Sequence, residues 1–133
     1  MQLNRRRVLY IEDHADTREL ITLVLQQKNF EVTSEATVES GVRLARAERF
    51  DLYLLYSWLP DGSGLDLCKK IREFDAATPI LFYSAAAYEV DKALALKSGA
   101  QAYLIKPSQT SELIDLVSSL IDEANVNYQV AQS

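Results

Sequence analysis

The sequence predicts an α/β fold in which a five-stranded parallel sheet is covered by helices on both faces. Apolar runs of strand length alternate along the chain with stretches of helical periodicity, which is the pattern of repeated strand–helix units. Right-handed crossovers between such units give a doubly wound sheet, (βα)₅, whose functional groups gather at the carboxyl ends of the strands. The 133 residues, 48% hydrophobic and 25% charged, match one globular domain with a single core.

Four of the five predicted strands are near-continuous apolar runs, as expected of strands that are buried, or nearly so, on both faces. They are Val8–Ile11, Leu52–Leu55, Ile80–Tyr83 and Tyr103–Ile105. The remaining strand, Phe30–Ser34, alternates apolar and polar residues. This alternation predicts a strand at the sheet edge with one wetter face.

Five helices are predicted between and after these strands. The first is expected to follow Asp16, with Glu19 completing a D-x-x-E variant of the capping box. Gly99 is expected to end the fourth helix in a left-handed cap. The apolar positions that mark the five helices are, in order, Leu20, Ile21, Val24 and Leu25; Val38, Val42 and Ala45; Leu67, Cys68 and Ile71; Val90, Ala93 and Leu94; and Leu113, Leu116, Val117 and Leu120.

The sequence predicts a short lead-in at residues 1–7, a domain at residues 8–124 and a polar, aperiodic tail or linker stump at residues 125–133. Arg5–Arg7 is the one dense basic run. Against a net charge of −5 it is too small for a nucleic-acid interface, so a solvated lead-in to the first strand is expected.

The single cysteine, Cys68, excludes an internal disulfide framework and a cysteine-rich metal site. We expect it to lie in the core of a protein in a reducing compartment. No apolar run approaches membrane-spanning length, and the N-terminus lacks the apolar region of a signal peptide. These features predict a cytoplasmic chain without membrane contact.

Polar groups follow the first, fourth and fifth predicted strands. Glu12 and Asp13 leave the first strand together, and adjacent carboxylates are suited to a hard cation such as Mg²⁺, although one of them could instead cap the following helix. Ser84 follows the fourth strand and precedes three alanines, which leave space around its hydroxyl. Lys106 closes the fifth strand. Carboxylates, a hydroxyl and an ammonium group at one sheet edge predict a site for a phosphoryl group.

From about Val8 to Ile121, the sequence resembles the receiver domains of two-component response regulators. VLYIED resembles the family's first strand and acidic pair, and DLYLLYSWLPDGSG resembles its third strand and following turn. PILFYSA and GAQAYLIKP resemble the fourth and fifth strands with the switch hydroxyl and the Lys-Pro pair. The resemblance implies the flavodoxin-like strand order 2-1-3-4-5 and a signalling domain that is not an enzyme.

The resemblance also implies roles for single residues. Glu12, Asp13 and the backbone carbonyl of Trp58 match the family's metal ligands, and Lys106 matches its phosphate-contacting lysine, with a peptide bond to Pro107 that is commonly cis. Two further positions match the switch residues, which are the hydroxyl of Ser84 and the aromatic ring of Tyr103.

Tyr56 stands where the resemblance places the family's phospho-accepting aspartate. A phenol has a reference pKa of about 10, so it is neutral at pH 7 and a weak nucleophile unless a base activates it. Its ring is expected to fill part of the phosphate pocket, with the hydroxyl near Lys106 or Ser84. Because one carboxylate ligand is missing, we expect Mg²⁺ to bind weakly or not at all.

Three interpretations of Tyr56 stay open. In the first, the chain is a pseudo-receiver that keeps the fold and signals by protein contact or another input. In the second, a conventional phospho-accepting receiver carries an Asp-to-Tyr substitution, which the retention of Glu12, Asp13, Ser84 and Lys106 favours. In the third, Tyr56 or the adjacent Ser57 accepts phosphate from a different donor.

Two aromatic residues near the site have two interpretations each. Trp58 either gates the pocket mouth or packs on the loop as a half-exposed side chain. Tyr103 is either a switch rotamer or a core aromatic whose hydroxyl reaches the surface. His14, the one histidine, is expected to be a solvated loop residue rather than a metal ligand.

The expected partners are a histidine kinase, an output or effector protein, or a second copy of the chain. Dimerisation is expected through the face of the fourth helix, fifth strand and fifth helix, but the uncharged Gln101 and Ala102 argue against a charged style of dimer. A rival from another class is a small flavodoxin-like enzyme or nucleotide binder. Such a protein needs a glycine-rich phosphate loop after the first strand, and the segment EDHADTRE has no glycine.

Overall fold

The computed structural model describes residues 6–132, with side chains as far as residue 130. Its strands are β1 (Arg6–Ile11), β2 (Phe30–Glu35), β3 (Leu52–Leu55), β4 (Trp58–Leu59), β5 (Gly62–Ser63), β6 (Ile80–Ser84) and β7 (Ala102–Ile105). Its helices are α1 (Ala15–Gln26), α2 (Val38–Ala47), α3 (Gly64–Arg72), α4 (Glu89–Ser98) and α5 (Thr110–Gln132).

Five parallel strands form the sheet in the order β2-β1-β3-β6-β7, and β4 pairs with β5 in a separate antiparallel hairpin. Once the two hairpin strands are set aside, this is the predicted order 2-1-3-4-5, so the doubly wound α/β fold is confirmed. The central strands β3 and β6 are buried throughout. β2 and β7 lie at the two edges, and most of their residues are only half-buried.

The sheet separates two apolar layers. Alternate residues of β1 illustrate the division, because Leu9 packs in the layer under α2, α3 and α4, whereas Val8 packs in the layer under α1 and α5. Cys68 is completely buried in the first of these layers, which confirms its predicted place in the core. Burial raises the pKa of its thiol. No helix in residues 6–132 is long and apolar enough to cross a membrane.

The start of α1 differs from the prediction. The helix begins at Ala15 with His14 as the N-cap residue, so Asp16 lies inside the first turn and forms no capping box with Glu19. The backbone N–H of His14 instead donates to the carboxylate of Glu12 at 3.2 Å, which sets the entry of the chain into the helix. Leu20, one of the apolar positions that mark this helix and would be expected to face the core, is instead 58% exposed.

The apolar positions that mark α4 lie mostly on its outer side. Val90 is 61% exposed and Leu94 is 45% exposed, whereas Ala95 is fully buried. Gly99 ends the helix at φ 119°, which confirms the predicted left-handed cap. The guanidinium of Arg72 donates to the carbonyl of Gly99 from Nε at 3.0 Å and from Nη2 at 2.9 Å, so this end of α4 is fixed against α3.

Both predicted ends of the domain lie within secondary structure where the structure describes them. β1 starts at Arg6, and Arg7 forms ion pairs with Glu31 and Glu48 and stacks on the ring of Phe50, so these two arginines are not a solvated lead-in. Arg5 lies outside the described residues.

The expected aperiodic tail is wrong as far as residue 132, since α5 continues through it and the sequence has no glycine or proline after Pro107 to end a helix. The boundary at residue 124 stays a prediction.

Gly64, the first residue of α3, lies against the end of β3. A Cβ atom at this position would meet the backbone oxygen of Tyr56 at 2.4 Å and the ring of Phe82 at 2.8 Å. The backbone N–H of Gly64 also donates to the carbonyl of Ser57 at 2.9 Å. Only glycine therefore allows α3 to pack this closely against the strand end that carries Tyr56.

We expect Gly64→Ala to destabilise the fold by about 2 kcal/mol, because the new methyl group must displace backbone rather than a flexible side chain. Gly41→Ala in α2 is the matched control, since a Cβ there would meet only side-chain methyl groups, the nearest being those of Leu67 at 3.1 Å. Urea unfolding measures both changes. An equal loss of stability in the two variants would show that the close approach at Tyr56 is not the cause.

Candidate functional site

The carboxyl ends of β1, β3 and β7 bring three predicted site residues into contact. The ammonium group of Lys106, just after β7, lies 2.6 Å from the Oε1 atom of Glu12, just after β1. The same Nζ atom lies 4.5 Å from the centre of the Tyr56 ring, just after β3. The peptide bond from Lys106 to Pro107 is cis, as the resemblance implies. The parallel sheet thus joins residues that are up to 94 positions apart in the sequence.

Glu12 is completely buried, and polar partners surround its carboxylate. Besides Lys106, the Nδ1 atom of His14 lies 3.1 Å from Oε2, and the hydroxyl of Tyr10 donates to Oε1 at 3.5 Å. Arg18 adds a hydrogen bond from Nη1 to the backbone carbonyl of Glu12 at 2.7 Å. A buried carboxylate is tolerated when it is paired and hydrogen-bonded in this way.

Asp13 and His14 extend this cluster toward solvent. The His14 Nδ1 atom lies 3.1 Å from the Oδ1 atom of Asp13, the same distance as from Glu12. The Oδ1 atom of Asp13 is buried and has no hydrogen-bond partner among the described residues, because its contact with the imidazole lacks hydrogen-bond geometry. A buried oxygen without a partner is a place where a cation can be held.

Tyr56 fills the strand end between two other aromatic rings. Its side chain is 9% exposed, and its ring makes edge contacts with His14 at 5.6 Å and with Trp58 at 5.7 Å between ring centres. Lys106 lies over the face of the ring rather than in a hydrogen bond with the hydroxyl. Burial raises the pKa of the phenol, and the nearby carboxylates of Glu12 and Asp13 raise it further. Tyr56 is therefore a neutral side chain at pH 7.

Ser84 and Tyr103 both form hydrogen bonds with the backbone of Ala86, in the loop that follows β6. The Oγ atom of Ser84, which is completely buried, accepts a hydrogen bond from the N–H of Ala86 at 3.3 Å. The hydroxyl of Tyr103 donates to the carbonyl of Ala86 at 2.6 Å, and its ring stacks on Phe82 with 5.8 Å between centres. Tyr103 is thus held inward and half-buried, and Ala86 links it to Ser84.

The turn after Tyr56 is anchored to a neighbouring helix. Trp58 is 56% exposed and begins the β4–β5 hairpin. At the hairpin tip, the carboxylate of Asp61 accepts hydrogen bonds from the backbone N–H groups of Val38 at 2.8 Å and Glu39 at 3.0 Å, at the start of α2. Burial acts to raise the pKa of Asp61, but these bonds outweigh it and lower the pKa.

Sequence reasoning missed several residues that support the site. Arg18, Ala86 and Asp61 act through backbone groups that are distant in the sequence or carry no motif, so no local pattern identifies them. Tyr83 was placed in the core strand, and the structure adds that Lys106 lies 5.1 Å from its ring centre. Tyr83 also accepts a hydrogen bond from the hydroxyl of Ser108 at 3.2 Å.

The solved structures that resemble this chain include receiver domains. The chain is similar to the receiver domain of the Francisella response regulator 1452, with a TM-score of 0.84, 26% identity, and coverage of 90% of this chain and 98% of that one. It is also similar to the receiver domain of the sensor histidine kinase PA1611 of Pseudomonas aeruginosa, which has a magnesium ion coordinated in its active-site cleft. The TM-score there is 0.83 at 27% identity, covering 90% and 99% of the two chains.

Curated relatives give the same family. The DNA-binding response regulator MtrA of Mycobacterium tuberculosis is 34% identical over 114 residues, which are 86% of this chain and 50% of the relative. The regulatory protein SphR of Synechococcus elongatus is 37% identical over 117 residues, covering 81% and 46%. The chain spans about half the length of these relatives. The family model for the response regulator receiver domain matches residues 8–118, and the chain belongs to that family.

Proposed function

We propose that this receiver domain does not accept phosphate at Tyr56 and acts through protein–protein contacts, as a pseudo-receiver. The observation that carries the proposal is the neutral, nearly buried phenol at the end of β3, with Lys106 over its ring. In this proposal Tyr56 occupies the acceptor position that the sequence resemblance assigns to it. Ser84, Tyr103 and Lys106 then keep the family's arrangement without its chemistry.

The chemistry of the acceptor supports the proposal. Receivers form an acyl phosphate when an aspartate carboxylate attacks a phosphohistidine, whereas a phenol must lose its proton before it attacks. Burial and two neighbouring carboxylates raise the pKa of Tyr56, so they oppose that loss. The imidazole of His14 contacts the tyrosine edge to face, and its Nδ1 atom faces the carboxylates of Glu12 and Asp13. The site therefore activates Tyr56 poorly.

Lys106 supports the same conclusion. Its ammonium group lies 2.6 Å from a fully buried carboxylate and is itself only 18% exposed, so the pair is already neutralised. A phosphoryl group at Tyr56 would have to compete with Glu12 for this lysine. It would also lie near Asp13, where like charges repel.

Mg²⁺ is the cation that the family implies for this site. It prefers oxygen ligands and usually one or two carboxylates together with waters. Asp13 offers a buried oxygen without a hydrogen-bond partner, and Glu12 and the carbonyl of Trp58 are the other proposed ligands. When bound, Mg²⁺ would supply charge neutralisation. Because Tyr56 offers no carboxylate, we expect weak binding.

The surface of α4 offers contact area for a protein partner. Four large apolar side chains on or beside this helix are exposed: Tyr88, Val90, Leu94 and Leu96. Exposed apolar groups in one region are typical of interaction sites. We propose a histidine kinase or an output protein as the partner, or a second copy bound through the face of α4, β7 and α5. No nucleic-acid contact by this domain is proposed, and a cytoplasmic location stays a prediction.

A second candidate function is a conventional phospho-accepting receiver that carries an Asp-to-Tyr substitution. The intact pair of Glu12 and Lys106 favours it, together with the unpartnered oxygen of Asp13. These groups remain close to the arrangement that phosphotransfer requires. The two candidates differ in whether a carboxylate at position 56, introduced as Tyr56→Asp, accepts phosphate.

The proposal predicts that the chain does not accept phosphate. With Mg²⁺ and acetyl phosphate, the chain with Tyr56 should gain no labile phosphoryl group, because Tyr56 is a neutral phenol. Intact mass measures the adduct, and Trp58 fluorescence follows any binding. Tyr56→Phe, which keeps the ring and removes the hydroxyl, is the matched control and should behave like the chain with Tyr56.

The outcomes of this experiment separate the candidates. An adduct on the chain with Tyr56 that hydrolyses within minutes to hours would overturn the pseudo-receiver proposal, because a tyrosine phosphate is far more stable than an acyl phosphate. A stable adduct would instead support acceptance by Tyr56 or Ser57. A labile adduct on Tyr56→Asp alone would favour the substituted-receiver candidate, and its absence there would favour the pseudo-receiver.

Lys106 is predicted to act as a structural cation. Lys106→Met should lower the free energy of unfolding by about 3 kcal/mol in the absence of phosphate and metal, because it leaves the buried Glu12 without its ammonium partner. Lys97→Met, at an exposed position of α4, is the matched control and should change stability by less than about 0.5 kcal/mol. Urea unfolding measures both. Adding Glu12→Gln to Lys106→Met should recover part of the loss, and full additivity of the two changes would contradict a direct pair.

A further inference from the structure

Three consecutive residues between β1 and α1 direct metal-ligand atoms toward one another. They are the Oε2 atom of Glu12, the Oδ1 atom of Asp13 and the Nδ1 atom of His14. The imidazole nitrogen lies 3.1 Å from each of the two carboxylate oxygens. A ligand atom from each of the three residues lies within 4.8 Å of the others, which forms a candidate site for a cation.

These spacings match the geometry of first-row metal sites. Bonds from such a cation to nitrogen or oxygen are about 2.0–2.2 Å long, so neighbouring ligands lie about 3.0 Å apart around an octahedral ion and about 3.4 Å apart around a tetrahedral one. The observed 3.1 Å from nitrogen to each oxygen falls within this range. The imidazole and each carboxylate are therefore already close to ligating positions.

The surroundings favour a cation at this point. The Oδ1 atom of Asp13 is buried without a hydrogen-bond partner in the described part of the chain, so a cation would satisfy it. Lys106 binds the other oxygen of Glu12, Oε1, and leaves Oε2 facing His14. The side chain of His14 is 63% exposed, which gives an ion access from solvent and room for water to complete its coordination.

The position of His14 changes its interpretation. The sequence predicted a solvated loop residue, and the side chain is indeed 63% exposed. Its ring nitrogen nevertheless lies 3.1 Å from an oxygen of each of two carboxylates, and the edge contact with Tyr56 orients the ring. Mg²⁺ prefers oxygen ligands, whereas imidazole suits zinc, nickel and copper. The set of two carboxylates and one imidazole therefore differs from the all-oxygen set that the family implies.

We propose that Glu12, Asp13 and His14 bind a borderline first-row divalent cation, such as Zn²⁺ or Ni²⁺, in preference to Mg²⁺. The imidazole replaces an oxygen ligand and changes the class of cation that the site selects. This inference does not depend on whether Tyr56 accepts phosphate. It assigns a ligand role to the one histidine of the chain.

Isothermal titration calorimetry of the full chain without an affinity tag tests the proposal. ZnCl₂ and NiCl₂ should each bind one ion per chain and at least about tenfold more tightly than MgCl₂. Because the chain has a single histidine, the ring proton signals of His14 in NMR report directly whether the imidazole is a ligand. They should shift or broaden at one equivalent of metal.

Two variants and one control separate this site from other sites. His14→Asn should weaken Zn²⁺ binding at least about tenfold and leave Mg²⁺ binding nearly unchanged, because it removes only the nitrogen ligand. Asparagine is a favourable N-cap residue, so the variant should keep α1, which circular dichroism checks. Asp13→Asn should weaken the binding of both Zn²⁺ and Mg²⁺. Cys68→Ser, which removes the one thiol from the core, should leave Zn²⁺ binding unchanged.

Each result bears on the proposal. Mg²⁺ binding as tight as Zn²⁺ binding would overturn it, as would unchanged Zn²⁺ affinity in folded His14→Asn. Loss of Zn²⁺ binding in Cys68→Ser with retention in His14→Asn would place the metal elsewhere and also overturn it. None of these outcomes affects the phosphotransfer experiment, so failure here is distinguishable from failure of the proposed function.

Discussion

The site depends on one buried ion pair, between Glu12 at the end of β1 and Lys106 at the end of β7. A completely buried carboxylate is stable only when it is paired and hydrogen-bonded, and Lys106, His14 and Tyr10 supply those contacts. The pair also fixes the surroundings, because the same ammonium group lies over the ring of Tyr56. The need to neutralise the buried carboxylate of Glu12 thus holds an interior strand end and an edge strand end together.

The aromatic residues around this pair change the side chains at the strand ends but leave the receiver fold intact. Tyr56 packs between His14 and Trp58 and keeps contact with Lys106, so the strand end stays filled and ordered. Tyr103 is held inward by a hydrogen bond to the carbonyl of Ala86. A domain arranged in this way keeps the family's fold. The chemistry proposed for the strand ends is cation binding by an imidazole and two carboxylates rather than phosphotransfer.

The fold was predictable because its signals are local and repeated. Continuous apolar runs identify the three interior strands β1, β3 and β6, and Gly99 marks the end of α4 through its left-handed backbone. The fourth run, Tyr103–Ile105, is an exception, because it forms the half-buried edge strand β7. The errors fall where local patterns conflict with tertiary contacts. Leu94 reads as part of a packed helix face, yet the sheet covers only the side of α4 that carries Ala95. The segment after residue 124 reads as polar and aperiodic, but nothing in it stops a helix that already has a packed start.

The sequence by itself determined the class of the fold and the identity of the polar groups at the strand ends, because parallel strands separated by helices must bring those ends together. The resemblance to receiver domains supplied the order of the strands. Only the tertiary structure decided how these groups pair. It placed Lys106 on Glu12, put the nitrogen of His14 between two carboxylates, and left an oxygen of Asp13 without a hydrogen-bond partner among the described residues. Such contacts depend on side-chain directions across strands and on burial, which residue order alone does not specify.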